Sequence, residues 1–272
     1  MRNQPIGVLD SGLGGLTVVK EIFRQLPNES LVYFGDTARC PYGSRPAEEV
    51  KEFTLQIVDF LLEFKVKMVV IACNTATASA LETIKEKLNI PVIGVIHPGS
   101  LTAIKKTKTG KIGVIGTEGT IKSGAYEKDL KKINPYISIT SLACPTLVPL
   151  VEDGNQPEEI VRKVVKEALN PILDKEMDSL ILGCTHYPLI HNYIQEVVGE
   201  NVTLLSSAEE TAREVSSILH YHNLFAKSLT KPKHLFFTTG ETEHFREIGE
   251  KWLGQKINVS HVKLYDKNII NI

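Results

Sequence analysis

Ten short, β-branched apolar runs alternate with longer amphipathic stretches along almost the whole chain, and this alternation restricts the fold more than any other feature. The runs occupy 5–10, 30–36, 67–73, 91–97, 111–116, 136–142, 178–184, 201–207, 234–240 and 257–265. Most are near-continuous, as strands buried on both faces of a parallel sheet must be. Helical patterns lie between them at 15–26, 46–64, 75–88, 118–132, 157–170, 185–198, 207–222 and 241–253. In the second of these, Val50, Phe53, Ile57, Phe60, Leu61 and Phe64 recur at three- and four-residue steps. Pro46 and Pro157 suit first helical turns. The sequence therefore predicts an α/β fold, doubly wound, with mainly parallel sheets.

No Pro/Gly/Ser linker divides the 272 residues, but a softer break lies around 98–110, basic and loop-like at its end. An internal echo says more. Gly7-Val8-Leu9-Asp10-Ser11 resembles Gly113-Val114-Ile115-Gly116-Thr117, and Val70-Ile71-Ala72-Cys73-Asn74-Thr75 resembles Leu182-Gly183-Cys184-Thr185-His186. Gly7 to Cys73 and Gly113 to Cys184 span nearly equal lengths. This pattern predicts two pseudo-symmetric domains, 1–98 plus 207–272 and 99–206, with an active site between them.

Charge and cysteine usage narrow the classes. Lys plus Arg number 31 and Asp plus Glu 32, for a net charge of −1. That balance argues against a nucleic-acid partner and against an anionic-membrane binder. With 42% hydrophobic and 23% charged residues the chain is ordinarily globular. The first residues contain no apolar h-region of a signal peptide. No stretch approaches the ~20 apolar residues that span a bilayer. Four cysteines without a CxxC do not make a disulfide framework. The expectation is a cytoplasmic protein with reduced thiols.

In open α/β sheets ligands bind beyond the carboxyl ends of the strands. Asp10-Ser11, Asp36, Cys73-Asn74-Thr75, Thr117 and Cys184-Thr185-His186 fall there. The stretch DSGLGG (10–15) fails as a dinucleotide fingerprint, because a GxGxxG set from Gly12 would need glycine where Thr17 stands. It reads instead as a tight turn into a helix whose free N–H groups suit a carboxylate.

Cys73 and Cys184 each end a strand and begin a helix, a position that favours the thiolate. One such cysteine alone reads as inert core; two in matching contexts point to chemistry. A disulfide is disfavoured in a reducing compartment. Zinc on Cys73, Cys184 and His186 is disfavoured because Cys184 and His186 are only two apart, so no metal is expected. The third option is a pair of proton carriers on opposite faces of one substrate carbon. With each sulfur ~3.5 Å from that carbon, one removes a proton while the other donates from the far side, inverting the centre.

Asp10, Glu152 and His186 are candidates to orient or tune these thiols. Their ordinary alternatives are an N-cap, a solvated acid and a first-turn residue. In the turn Cys40-Pro41-Tyr42-Gly43, backbone N–H groups and the Tyr42 hydroxyl could clasp a side-chain carboxylate, with plain loop structure an equal alternative. Cys40 itself shows no partner context and Cys144 reads as core. His220, His222 and Asp266 give no signal above surface chemistry.

With these residues in hand, the chain resembles the glutamate racemase family. The resemblance runs through GVLDSGLGGLTV (7–18), YFGDTARCPYGSR (33–45), VVIACNTATA (69–78), GVIGTEGT (113–120) and LILGCTHYPLI (180–190). It implies cofactor-independent interconversion of L- and D-glutamate for peptidoglycan synthesis, in a two-domain α/β homodimer. It also implies that Cys73 acts on D-glutamate and Cys184 on L-glutamate, with Asp10, Glu152 and His186 as auxiliary residues. Ser11, Tyr42, Gly43, Asn74, Thr75, Thr117 and Thr185, together with Asp10 and His186, match the family's substrate contacts. Two other functions stay open: a racemase of the same group acting on aspartate or another small amino acid, and a non-catalytic carboxylate-binding module.

Overall fold

The structure, a computed structural model, describes residues 1–227 and 231–264. All ten expected runs contain a strand: β1 (Ile6–Asp10), β2 (Leu31–Gly35), β3 (Met68–Ile71), β4 (Val92–Gly94), β5 (Lys111–Gly116), β6 (Ser138–Ala143), β7 (Ser179–Gly183), β8 (Thr203–Leu205), β9 (His234–Thr238) and β10 (Val259–His261). The end of the last run, at residue 265, lies outside the described residues, as do Asp266 and the end of the expected first domain.

Every strand pair is parallel. One sheet has the order β10-β9-β2-β1-β3-β4 and the other β6-β5-β7-β8. The second order repeats the last four strands of the first, with β5 in the place of β1 and β7 in that of β3. The internal echo of the sequence is thus an echo of sheet position. Strands β9 and β10 extend the first sheet beyond β2, so the chain leaves that sheet after β4 and returns to it at the end.

The helices are α1 (Leu16–Gln25), α2 (Ala47–Glu63), α3 (Asn74–Lys87), α4 (Ile96–Lys106), α5 (Glu118–Ser123), α6 (Ala125–Ile133), α7 (Leu147–Asp153), α8 (Glu158–Leu169), α9 (His191–Val198), α10 (Ala208–Tyr221) and α11 (Thr242–Leu253). The period-2 geometry of the strands sorts the first sheet's core. Ile6, Val8, Tyr33, Met68 and Val70 face one cluster with residues of α1 and α10, while Leu9, Val32, Phe34, Val69 and Ile71 face another with residues of α2 and α3. Each such side chain contributes ~1.5–3 kcal/mol when fully buried. At the amino end of this sheet Lys67 buries its ammonium against Glu29 and the carbonyls of Arg2 and Leu224 (2.8 and 2.9 Å), which fastens the segment after α10 to the first sheet.

Three expectations are corrected. The helix expected over 118–132 breaks into α5 and α6 at Gly124, which adopts φ +63°. The pattern 185–198 opens with a 3₁₀ turn at Tyr187–Ile190, where Pro188 sits, and only then becomes α9. The soft break at 98–110 is mostly α4, which buries Ile96, Pro98, Gly99, Ser100 and Ala103. The loop proper is only 107–110, held by Asp178, which accepts the Thr107 hydroxyl at 2.7 Å and the Thr109 N–H at 2.6 Å.

Candidate active site

The carboxyl ends of β1, β3, β5 and β7 meet around a narrow cavity of ≈ 10 Å³. That is room for about one water molecule, so the lining residues rather than the size of the cavity define the site. Ser11, Tyr42, Gly43, Cys73, Asn74 and Thr75 line it from the first half, and Thr117, Cys184, Thr185 and His186 from the second. Asp10 and Glu152 stand behind this lining.

Cys73 follows β3 and caps α3, its backbone extended and its Sγ accepting the Ala76 N–H at 3.4 Å. The sulfur also lies 3.7 Å from Ser11 Oγ. Burial pushes this thiol up to about 12 and the nearby Asp10 adds to the effect, outweighing the Ala76 N–H and Ser11. The expectation that a helix start alone favours the thiolate is therefore reversed here. The whole side chain is desolvated, and one N–H does not replace the lost water.

Cys184 follows β7 in the corresponding place, but its neighbours differ. Its Sγ lies 3.6 Å from His186 Nδ1, and His186 Nε2 lies 2.5 Å from Glu152 Oε1. Burial by itself would lower the His186 pKa; Cys184 and Glu152 outweigh it and raise it well above the usual imidazole value. Glu152 responds in the opposite sense: burial favours its acid form, yet His186 holds the carboxyl below its ordinary range. An imidazolium thus stands between a carboxylate and the sulfur.

Asp10 is fully buried at the end of β1. It accepts the Gly12 N–H at 3.0 Å and the Thr185 hydroxyl at 3.2 Å, so it joins the two halves beneath the cavity. Burial raises its pKa, against the pull of His186 and the backbone N–H groups. The glycines of DSGLGG serve the same closure. A Cβ on Gly14 would come within 2.4 Å of Thr185 Oγ1 and 2.6 Å of His186 Nδ1, so only glycine lets the second half approach so closely. A triangle of hydroxyls also spans the junction, with Thr75 2.9 Å from Thr117 and 3.1 Å from Thr120.

Two further expectations change. Tyr42 lines the cavity, but its hydroxyl is committed to the buried Asp36, which also takes Arg39 Nε at 2.6 Å and the Thr239 hydroxyl at 2.7 Å. Strand-end Asp36 therefore braces the turn rather than facing the ligand. Cys40, which has no partner in its sequence context, places its Sγ 3.9 Å from Glu152 Oε1. With Glu152 and His186 it forms the described set whose ligand atoms lie within 4.8 Å of one another, in place of the Cys73, Cys184 and His186 set weighed for zinc. In that set Glu152 and His186 are engaged with each other. Val148, which the sequence did not single out, also lines the cavity. It comes from α7, which the sequence patterns did not reveal. Chemically, the arrangement offers hydroxyl and amide donors from both halves to a carboxylate, and one sulfur from each half to a single small ligand.

Comparison with known proteins agrees with that geometry. The family model described as Asp/Glu/Hydantoin racemase matches residues 6–215. A glutamate racemase of Bacillus cereus is 54% identical over 263 residues, covering 96% of this chain and 98% of that protein. The crystal structure of glutamate racemase isoform RacE1 from Bacillus anthracis superposes with a TM-score of 0.93 at 54% identity, covering 97% of this chain and 99% of that one. The Francisella tularensis glutamate racemase, solved in complex with D-glutamate, gives a TM-score of 0.90 at 38% identity, with 97% and 99% covered.

Proposed function

The chain belongs to the family of aspartate, glutamate and hydantoin racemases, and from that premise we propose that it interconverts L- and D-glutamate by proton transfer between Cys73 and Cys184 on opposite faces of the α-carbon. The observation that carries the two-base reading is that equivalent strand ends from the two halves each bring a sulfur to one shared cavity.

The α-carboxylate is held by the donors at the strand ends and helix starts: Ser11, Asn74, Thr75, Thr117 and Thr185. These also stabilise the carbanion, because negative charge developing on the carboxylate oxygens meets dipoles already in place. The backbone of the Tyr42-Gly43 turn offers N–H groups to the side-chain carboxylate.

In the L to D direction the Cys184 thiolate takes the α-proton: the C–H bond breaks and an S–H bond forms. The Cys73 thiol then protonates the opposite face, and its S–H electron pair stays on sulfur. His186, charged and 3.6 Å from Cys184 Sγ, stabilises negative charge there, and Glu152 fixes the imidazolium. Asp10 aims the Thr185 hydroxyl and the Gly12 backbone. Each turnover exchanges thiol and thiolate between the two sulfurs, so the reverse reaction starts from the opposite protonation state. No cofactor enters this scheme.

The same reading has the enzyme supply D-glutamate for peptidoglycan, as a cytoplasmic homodimer built from domains 1–98 plus 207–272 and 99–206. Sedimentation tests the dimer. The reaction is tested by proton NMR and circular dichroism of the protein in D₂O with L-glutamate and no added cofactor. Loss of the α-proton signal with falling optical activity is expected. An unchanged α-proton and constant optical activity reject glutamate, after which aspartate is the next substrate to try. Ligand-dependent thermal stabilisation without proton exchange would identify a binding module instead.

A further inference from the structure

Asn74 lies beside Cys73, lines the cavity and is 3% exposed. Its carboxamide is unequally used. The oxygen accepts the hydroxyl of Tyr126, from α6 of the other half, at 2.7 Å, whereas among the described residues the buried Nδ2 has no hydrogen-bond partner. A buried amide NH₂ left without an acceptor is costly unless a ligand supplies one. The Tyr126 ring is itself 3% exposed. It packs so closely under Gly183 that a Cβ there would sit 3.1 Å from the ring edge, and a Cβ on Gly99 would sit 3.0 Å from its hydroxyl. One side chain therefore touches the residue next to each cysteine, Asn74 beside Cys73 and Gly183 beside Cys184.

We propose that Tyr126 is a positioning residue for the racemisation: by donating its hydroxyl to Asn74 Oδ1 it fixes the carboxamide so that the NH₂ group faces the substrate carboxylate. The proposal rests on the reading that this cavity binds an amino acid. A carboxamide can turn over and exchange its oxygen for its nitrogen at little steric cost, and only a hydrogen-bond partner decides between the two orientations. A phenol that donates makes that choice. Burial pushes the Tyr126 pKa well up, so the donor proton stays in place through the working pH range. The Asn74 NH₂ then meets an acceptor whose negative charge grows as the α-proton leaves. Its contribution is therefore larger in the transition state than in the ground state.

The test is a double-mutant cycle with Tyr126→Phe, which keeps the packed ring, and Asn74→Ala. Tyr126→Phe is expected to lower kcat for glutamate about 10-fold with KM changed less than about 3-fold, less than the ~10²–10³-fold cost of removing a positioned donor outright because the carboxamide itself remains. In the Asn74→Ala background the same substitution should cost less than about 2-fold, because the hydroxyl acts only through Asn74. Unchanged kcat in Tyr126→Phe, or an equal loss in both backgrounds, overturns the proposal, the second result marking Tyr126 as simple packing. Asn74→Asp gives an arm with the ring untouched: it keeps the acceptor for Tyr126 but removes the NH₂, and should lose kcat while its Tm holds. If the wild type leaves glutamate unchanged, the glutamate reading fails separately. The Asn74 side-chain amide resonances, assigned with Asn74→Ala, then decide the positioning claim. They should shift in Tyr126→Phe, and unmoved resonances overturn it.

Discussion

Cys73 and Cys184 stand at equivalent strand ends in two sheets of the same order, yet the protein surrounds them differently. Cys73 has an N–H and a hydroxyl for company and is driven toward the thiol by burial. Cys184 has a charged imidazole backed by a carboxylate. The fold thus makes the two positions symmetric while the neighbours make their surroundings unequal. An enzyme for mirror-image substrates needs the first kind of symmetry to reach both faces. The second kind is free to vary, because the enantiomers have equal free energy in solution. The ratio of kcat/KM in the two directions is therefore held at one whatever the protein does to each sulfur. The inequality can appear only in kcat, in KM and in which proton transfer limits the rate.

Removing either sulfur breaks the comparison outright. Cys73→Ala and Cys184→Ala are each expected to lower racemisation by at least about 10³-fold, since a positioned acid or base supplies 10²–10⁴. The optical rotation of either enantiomer measures this, and near-normal turnover in either variant would end the two-base mechanism.

His186→Asn sharpens the comparison by making the Cys184 side resemble the Cys73 side. It should cost roughly 10–10²-fold in kcat/KM, equally from both enantiomers. The isotope effect with α-deuterated L-glutamate should grow while that with the D-enantiomer does not. His186 also gives a stability signature. Its pKa is raised well above 6.5 in the fold, so folding binds a proton. The stabilisation is complete below about pH 6.5 and fades as pH rises through the raised value. The Tm gap between wild type and His186→Asn should therefore be widest in mild acid and shrink toward alkaline pH.

The smallest effect belongs to Ser11→Ala, which removes the hydroxyl 3.7 Å from Cys73 Sγ. A loss of about 3–10-fold is expected, the worth of one modest hydrogen bond. It should show in the isotope effect from D-glutamate rather than from L-glutamate.

Much of this arrangement was legible in the sequence, because strand ends carry function in α/β sheets and near-continuous apolar runs mark the strands. The ten strands and the grouping of Ser11, Cys73-Asn74-Thr75, Thr117 and Cys184-Thr185-His186 follow from those two rules. What escaped depends on tertiary packing. Helix α4 contains Pro98-Gly99-Ser100, which locally reads as a turn, and it is held as helix by burial against the second half. Helix α7 runs through Pro149 in a short apolar stretch and carries Glu152 toward His186. Tyr126 and Cys40 have no local signal at all, since their partners Asn74 and Glu152 lie far away along the chain.

The return of the chain to its first sheet also governs how the protein is made. Strand β2 pairs with β1 on one side and with β9 on the other. About 200 residues separate β2 from β9, on the order of ten to forty seconds of ribosomal elongation. Throughout that interval the nascent first sheet exposes an unpaired edge of Leu31–Gly35, a stretch buried along its whole length once folding is complete. Such an edge invites pairing with other chains. Delivery of β9 and β10 is therefore also the step that covers that edge.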